Sequence, residues 1–171
     1  PLLALTLCVA ATAGDTEHFP KGSRKDLSQL GFVDTHGKKC TVADFKGKVV
    51  LVDFWVVWCG PCRSAIPEIK ALQKQGAEKG TLVVIPCNLD DEYWPQGVLT
   101  FFRKNEKALE GFTYYRAQMG RNGIGTNLGG DISSYPTTLV IDRDGRLAAR
   151  WSGYGEGAAV YEINQVMKEQ P

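Results

Sequence analysis

Apolar residues in this chain fall into short runs of two kinds. Lys48 to Trp55 reads Lys-Val-Val-Leu-Val-Asp-Phe-Trp. It is β-branched, aromatic and almost continuously apolar, which predicts a central strand covered on both faces. From about Cys62 to Lys79 the period lengthens. Ile66, Ile69 and Leu72 then share one side of a helix, with Pro67 inside it as an expected kink. Thr81 to Leu89 predicts a second buried strand, and residues 95–110 a helix with Val98, Leu99, Phe102 and Leu109 inward.

Shorter elements surround these. Gly31-Phe32-Val33 and Cys40-Thr41-Val42 flank a turn-like Thr35-His36-Gly37-Lys38 and predict a small hairpin. Tyr114-Tyr115-Arg116 fits a short strand, and residues 120–130 a loop. Thr137 to Ile141 and Leu147 to Trp151 are strands joined by Asp142-Arg143-Asp144-Gly145, a hairpin signal. A closing helix over 157–169 places Ala159, Ile163, Val166 and Met167 at helical spacing. The order is hairpin, β-α-β-α, β-hairpin, helix. It predicts an α/β domain with a central mixed sheet and helices on both faces.

The ends read differently. Residues 1–13 are apolar and finish in Ala11-Thr12-Ala13, the A-x-A form of a signal-peptidase site. No initiating Met or basic flank precedes them, so they are expected to be the remnant of a longer signal or a membrane anchor. A lipoprotein signal on Cys8 is a further alternative, although Leu7 before it is bulky. All three place the domain outside the cytoplasm, periplasmic or secreted. Residues 14–26 are polar and of mixed charge and are expected to be a linker, leaving 27–171 as the folded domain.

Composition narrows the function classes. The 171 residues are 43% hydrophobic and 23% charged, ordinary for one globular domain. A net charge of +1 gives no electrostatic ground for a nucleic-acid partner. Five cysteines are too few for a disulfide-stapled scaffold of this length. Function is therefore expected in local chemistry.

That chemistry is concentrated at Trp58-Cys59-Gly60-Pro61-Cys62, between a buried strand and an amphipathic helix. Cys59 falls at the helix N-terminus, where unpaired amides and the helix dipole favour a thiolate, the attacking species in disulfide exchange. One turn of helix brings Cys62 close to it. Gly60 permits the tight entry, and Pro61 suits the first turn, where its missing N–H is not needed. The implied reaction runs through a mixed disulfide on Cys59 that Cys62 resolves.

Two further features fit this chemistry. Asp53 lies six residues before Cys59 in an otherwise apolar strand. Burial should raise its pKa, and a near-neutral carboxyl could take the Cys62 proton; the alternative is a strand-end Asp reaching solvent. Tyr135-Pro136-Thr137 precedes a strand. It is either an ordinary strand-start Pro or a cis-Pro loop facing the two cysteines, offering the Tyr135 backbone to substrate and keeping metals off the thiols.

Val52-Asp53-Phe54-Trp55-Val56-Val57-Trp58-Cys59-Gly60-Pro61-Cys62 resembles the active-site segment of thioredoxin. The wider pattern is similar to the extracytoplasmic TlpA/ResA-type thioredoxins. It includes the N-terminal hairpin with Asp44-Phe45-Lys46-Gly47-Lys48, Arg63 and Pro67 after the cysteines, an insertion before Tyr135-Pro136-Thr137-Thr138, and the Ile141-Asp142-Arg143-Asp144-Gly145 turn. The resemblance covers about residues 27–169. It implies a thioredoxin fold with Cys59 as nucleophile, Cys62 as resolving thiol and Pro136 as the cis-Pro. It also implies a membrane electron carrier as donor. Several ResA-like members carry a glutamate three residues after the second cysteine; here that residue is Ala65, which weakens a specialised cytochrome c maturation role.

The expected site is thus Cys59, Cys62 and Asp53 for catalysis, with Trp58, Gly60, Pro61, Tyr135 and Pro136 contacting substrate. The disulfide itself would be the only redox group, with no metal or other cofactor. Oxidised proteins are the expected substrates and a monomer the expected state. Cys-Gly-Pro-Cys matches thioredoxin, a reductant of about −270 mV. A thiol peroxidase on the same fold is an alternative, but Val56, Val57 and Trp58 stand where its Thr before the peroxidatic Cys belongs. A non-catalytic binding module is the third, and it needs none of Cys59, Cys62, Asp53 and Pro136 together.

Weaker signals have bland explanations. Cys40 and Cys87 are expected to be separate buried thiols rather than a second disulfide. His18 and His36 are expected in solvent, as is the acidic stretch around Asn88, Asp90, Asp91 and Glu92. Gly123-Ile124-Gly125-Thr126-Asn127-Leu128 only approximates a dinucleotide fingerprint, without the strand–helix context. Trp94, Phe101, Phe102, Tyr114 and Tyr115 are expected in core and edge packing, with a substrate groove as the alternative.

Overall fold

A computed structural model describes residues 16–90, 95–117 and 132–169. Eight strands form one mixed sheet: β1 (Glu17–His18), β2 (Gly31–Asp34), β3 (Lys39–Thr41), β4 (Val49–Trp55), β5 (Leu82–Asn88), β6 (Tyr115–Ala117), β7 (Thr137–Ile141) and β8 (Leu147–Ser152). The helices are α1 (Gly60–Lys79), α2 (Pro95–Lys104), α3 (Glu106–Leu109) and α4 (Ala158–Lys168). The spatial order is β1-β8-β7-β4-β5-β6-β2-β3. β4–β5 and β5–β6 run parallel, and the other pairs are antiparallel.

β4 is the centre, buried along all seven residues. Its alternation divides the core. Val49 and Leu51 face a layer made by Ala65, Ile69 and Leu72 of α1 and Ala159, Ile163 and Val166 of α4. Val50, Val52 and Phe54 face the other way, onto Leu27, Leu30 and Val42 from the N-terminal segment. Asp53 follows Leu51 by two, so it belongs to the stripe on the α1/α4 side. At the end of β4, Trp55 meets Phe101, Phe102, Phe112 and Tyr114 at ring separations of 5.9 to 6.4 Å. These aromatics therefore belong to the packed core around Trp55.

α1 begins where the motif predicts and ends at Gly80, whose φ of 68° closes it in the left-handed region. Gly76 lets α1 lie against β5: a Cβ there would sit 2.6 Å from the Leu82 carbonyl oxygen.

Three expectations change. The linker begins to fold by residue 17: β1 pairs with β8, Glu17 opposite Arg150, and Arg24 is buried in an ion pair with Asp142. The partners of this polar stretch lie more than a hundred residues away, so local composition hides them. The 95–110 helix is interrupted at Asn105, whose side chain donates to the Phe101 carbonyl. Leu99 is 46% exposed, on the outer side of α2, while Val98 is buried. The signal remnant, the insertion before Tyr135 and the Gly123–Leu128 stretch lie outside the described residues, as do Asp91, Glu92 and Trp94.

Candidate active site

β4 delivers the chain to Cys59, which is the N-cap of α1. The Cys62 N–H donates to Cys59 Sγ at 3.1 Å, and the two cysteines are joined by a disulfide with Cα atoms 5.3 Å apart. Pro61 stands in the first turn of α1, where no helical acceptor exists for an N–H. A Cβ at Gly60 would meet nothing within 4 Å, so this face of the turn is open to a partner.

The Tyr135–Pro136 peptide bond is cis. It sets the Tyr135 carbonyl oxygen 3.5 Å from Cys59 Sγ. The Tyr135 ring meets Trp58 edge to face, centroids 5.8 Å apart. Trp58 is 61% exposed, a large apolar surface beside the disulfide. Cys59, Cys62, Trp58, Gly60, Pro61, Tyr135 and Pro136 thus converge at one end of the central strands β4 and β7.

Asp53 lies behind them, 4% exposed. Its carboxylate accepts one hydrogen bond, from Thr138 Oγ1 at 2.8 Å. Burial pushes its pKa up to about 6, the Thr138 bond opposes the rise, and the Glu68 charge adds to it. Asp53, Thr138 and Pro136 line a small cavity together with Ala65, one helical turn beyond Cys62.

Sequence reasoning placed Asp90 in a solvated acidic loop; the structure buries it. Its Oδ2 accepts from the Val57 N–H at 2.6 Å and its Oδ1 from the Trp58 indole at 3.1 Å. Asp90 therefore holds the loop before Cys59. The signal was topological: β4 and β5 are parallel neighbours, so residues just after each strand must meet. Thr138 and Glu68 escaped notice because a threonine in a strand and a glutamate on a helix carry no local mark.

Other candidates take no part in this constellation. Cys40 and Cys87 are free thiols, with β6 and β2 between their strands. Burial raises the pKa of both. His18 is exposed, as expected, and its Nε2 also lies 2.9 Å from Glu162 Oε2 of α4. Among the described residues no three His, Cys, Asp or Glu side chains are grouped to hold a metal.

Comparison with known proteins agrees with this geometry. The Redoxin family model matches residues 12–166. Thiol-disulfide oxidoreductase ResA of Bacillus subtilis is 36% identical over 166 residues, covering 97% of this chain and 86% of that protein. Thioredoxin-like protein YneN of Bacillus subtilis is 36% identical over 114 residues, 64% of this chain and 59% of that one. Among solved structures, a secreted thiol-disulfide isomerase from Corynebacterium glutamicum superposes with a TM-score of 0.73 at 23% identity, covering 91% of this chain and 94% of that one. A DsbF homologue from Corynebacterium diphtheriae gives 0.71 at 24% identity, covering 89% and 94%. The chain belongs to the redoxin family and is a thiol–disulfide oxidoreductase of the thioredoxin fold.

Proposed function

We propose that this oxidoreductase works as a reductant of protein disulfides outside the cytoplasm, recharged by a membrane thiol–disulfide carrier and acting as a monomer. The observation that carries the chemistry is Cys59 at the helix N-cap, bonded to Cys62 and flanked by the Tyr135 carbonyl. The Gly60-Pro61 dipeptide supports the reducing direction, since it matches thioredoxin. The apolar residues 1–13 with Ala11-Thr12-Ala13 support export, and one structural neighbour is a secreted protein. Among the described residues no helix is long and apolar enough to cross a membrane.

In the reduced enzyme the Cys59 thiolate, favoured by the N-terminal amides of α1, attacks one sulfur of a substrate disulfide. The first substrate thiolate leaves, and Cys59 carries the mixed disulfide. Trp58, Gly60 and Pro61 form one wall for the substrate, and Tyr135 and Pro136 the other. Cys62 then gives its proton to the Asp53 carboxylate and attacks Cys59 Sγ. The second substrate thiolate leaves and the Cys59–Cys62 disulfide forms. Two electrons have passed to the substrate. The base is competent only when ionised, so this resolving step should weaken below about pH 6.

The test is a redox titration of the purified protein against glutathione and dithiothreitol, with mass readout on each cysteine. A potential near −270 mV carried by Cys59 and Cys62 supports a reductant. A strongly oxidising value reverses the direction of electron flow.

A further inference from the structure

Asp53 is sealed behind the disulfide, and a base that accepts a proton must also release it. Among the described residues the structure offers a way out. The cavity beside Asp53, about 20 Å³ in volume, has Glu68 of α1 and Tyr154 in its wall. That space is large enough for a single water. It stays open because residue 65, on the same side of α1 as Cys62, is only an alanine.

Glu68 is anchored on one oxygen. Its Oε2 accepts from the Tyr154 hydroxyl at 3.3 Å and from the Gly157 N–H at 3.1 Å. Its Oε1 is shut off from solvent and has no hydrogen-bond partner among the described residues. A buried carboxylate oxygen requires a donor, and the shared cavity has room for a water to supply one. Tyr154 is partly exposed and marks the solvent end.

Each element around Asp53 adds one group. α1 brings Glu68, β7 brings the Thr138 hydroxyl, and the segment after β8 brings Tyr154. On the other face of the sheet β5 carries the Cys87 thiol, which burial and the Asp53 charge keep neutral. α4 closes the wall with Ala159, which has no charge to add. Among these, Glu68 is the one carboxylate that shares the cavity with Asp53.

We propose that Glu68 is the second station of the proton path. The proton leaves the Cys62 thiol for Asp53. It then crosses one water to the Glu68 carboxylate and passes to solvent beside Tyr154. No electrons move in these transfers, and each carboxylate returns to its ionised state. The inference rests on Asp53 being the proton acceptor, as argued above.

The experiment follows multiple-turnover reduction of a peptide disulfide by the full chain with excess dithiothreitol, in which Asp53 must shed its proton in every cycle, read by mass spectrometry from pH 5 to 9. Glu68→Gln keeps acceptors for Tyr154 and Gly157 and should slow the plateau rate about tenfold, less than loss of the base itself. In Glu68→Ala the enlarged cavity should admit small buffer bases such as acetate, and rising buffer concentration should restore the rate. Unchanged plateaus in both variants, with only a downward shift of the pH midpoint, would reduce Glu68 to a charge near Asp53 and overturn the path. Should Glu68→Gln not fold, Glu68→Asp with the same buffer dependence decides. Asp53→Asn is the control: a normal rate there defeats the base assignment, whereas a slow Asp53→Asn beside normal Glu68 variants defeats only the relay.

Discussion

Asp53 and Asp142 are the same residue type in the same sheet, 4% and 7% exposed, in opposite circumstances. Asp142, just after β7, accepts from Arg24 at 2.8 Å and from the backbone N–H groups of Asp144 and Arg146 at 3.0 Å each. Arg24 in turn donates to the Phe19 carbonyl and to both oxygens of Glu169. Among the described residues Asp53 has one hydroxyl donor and no cation beside it. A buried carboxylate that is fully matched holds structure together. One that is under-matched carries an energetic burden, and in the proposed mechanism that burden is the proton affinity of the base.

The largest effect should come from breaking the matched end. Arg24→Ala leaves the buried Asp142 charge without its cation, and the loss of stability should be about 3–5 kcal/mol. Urea denaturation measures it. Disulfide reduction per folded molecule should stay at the wild-type level, because nothing in this cluster touches the cysteines. A loss below about 1 kcal/mol would make it an ordinary surface pair and dissolve the contrast.

Asp53→Asn should act in the opposite sense. A folded-state pKa of about 6 against 3.8 means that the protein binds this proton more tightly when folded. The burden is therefore absent below about pH 4, grows as pH rises, and is complete above about pH 6. At pH 8 the variant should be more stable by up to about 3 kcal/mol, and at pH 3.5 no different. Resolution of the mixed disulfide should slow about a hundredfold, as expected for loss of a general base. Equal stability at both pH values would show that Asp53 is better solvated than its burial indicates.

Asp90 sharpens the comparison because it sits at the active-site end yet is matched, by the Val57 N–H and the Trp58 indole. Asp90→Ala leaves the Val57 N–H unmet and should lower stability by about 1–3 kcal/mol. It should also free Trp58, which a change in tryptophan anisotropy reports, and raise KM for protein substrates more than it lowers kcat. A change in kcat alone would place Asp90 in the chemistry rather than in the frame.

How far this was legible in the sequence follows from the range over which each feature acts. The strand at Val49–Trp55 and the helix after Cys59 are written in local periodicity, and both lie where that periodicity puts them. The cysteine pair and Asp53 were visible because a redox motif and a lone acid in an apolar strand stand out locally. The 14–26 stretch was misread because the meaning of Arg24 lies in Asp142 and Glu169, which only the folded chain brings near. Asp90 was misread for a related reason: its neighbours Asp91 and Glu92 made it resemble a solvated run, while its partners sit 33 and 32 residues earlier. Leu99 failed differently, since helical spacing names a face only to within a residue or so at its border.

The smallest expected effect separates the two ends most cleanly, because it concerns sign. The Arg24 guanidinium holds the Glu169 carboxyl below its usual range. Its contribution is therefore present above the ordinary carboxylate pKa and fades as pH falls, whereas the Asp53 burden grows as pH rises. Glu169 is partly open to water and Asp142 remains for Arg24, so Glu169→Gln should lower stability by only about 1 kcal/mol at pH 7. The difference should shrink as pH falls below the ordinary carboxylate range and vanish once the folded-state carboxyl is protonated. In thermal melts across that range, Glu169→Gln should flatten the rise of stability with pH, and Asp53→Asn should steepen it between pH 4 and 6. If both variants bent the profile the same way, hydrogen-bond matching would not be what distinguishes the two buried acids, and the burden on Asp53 would need another source.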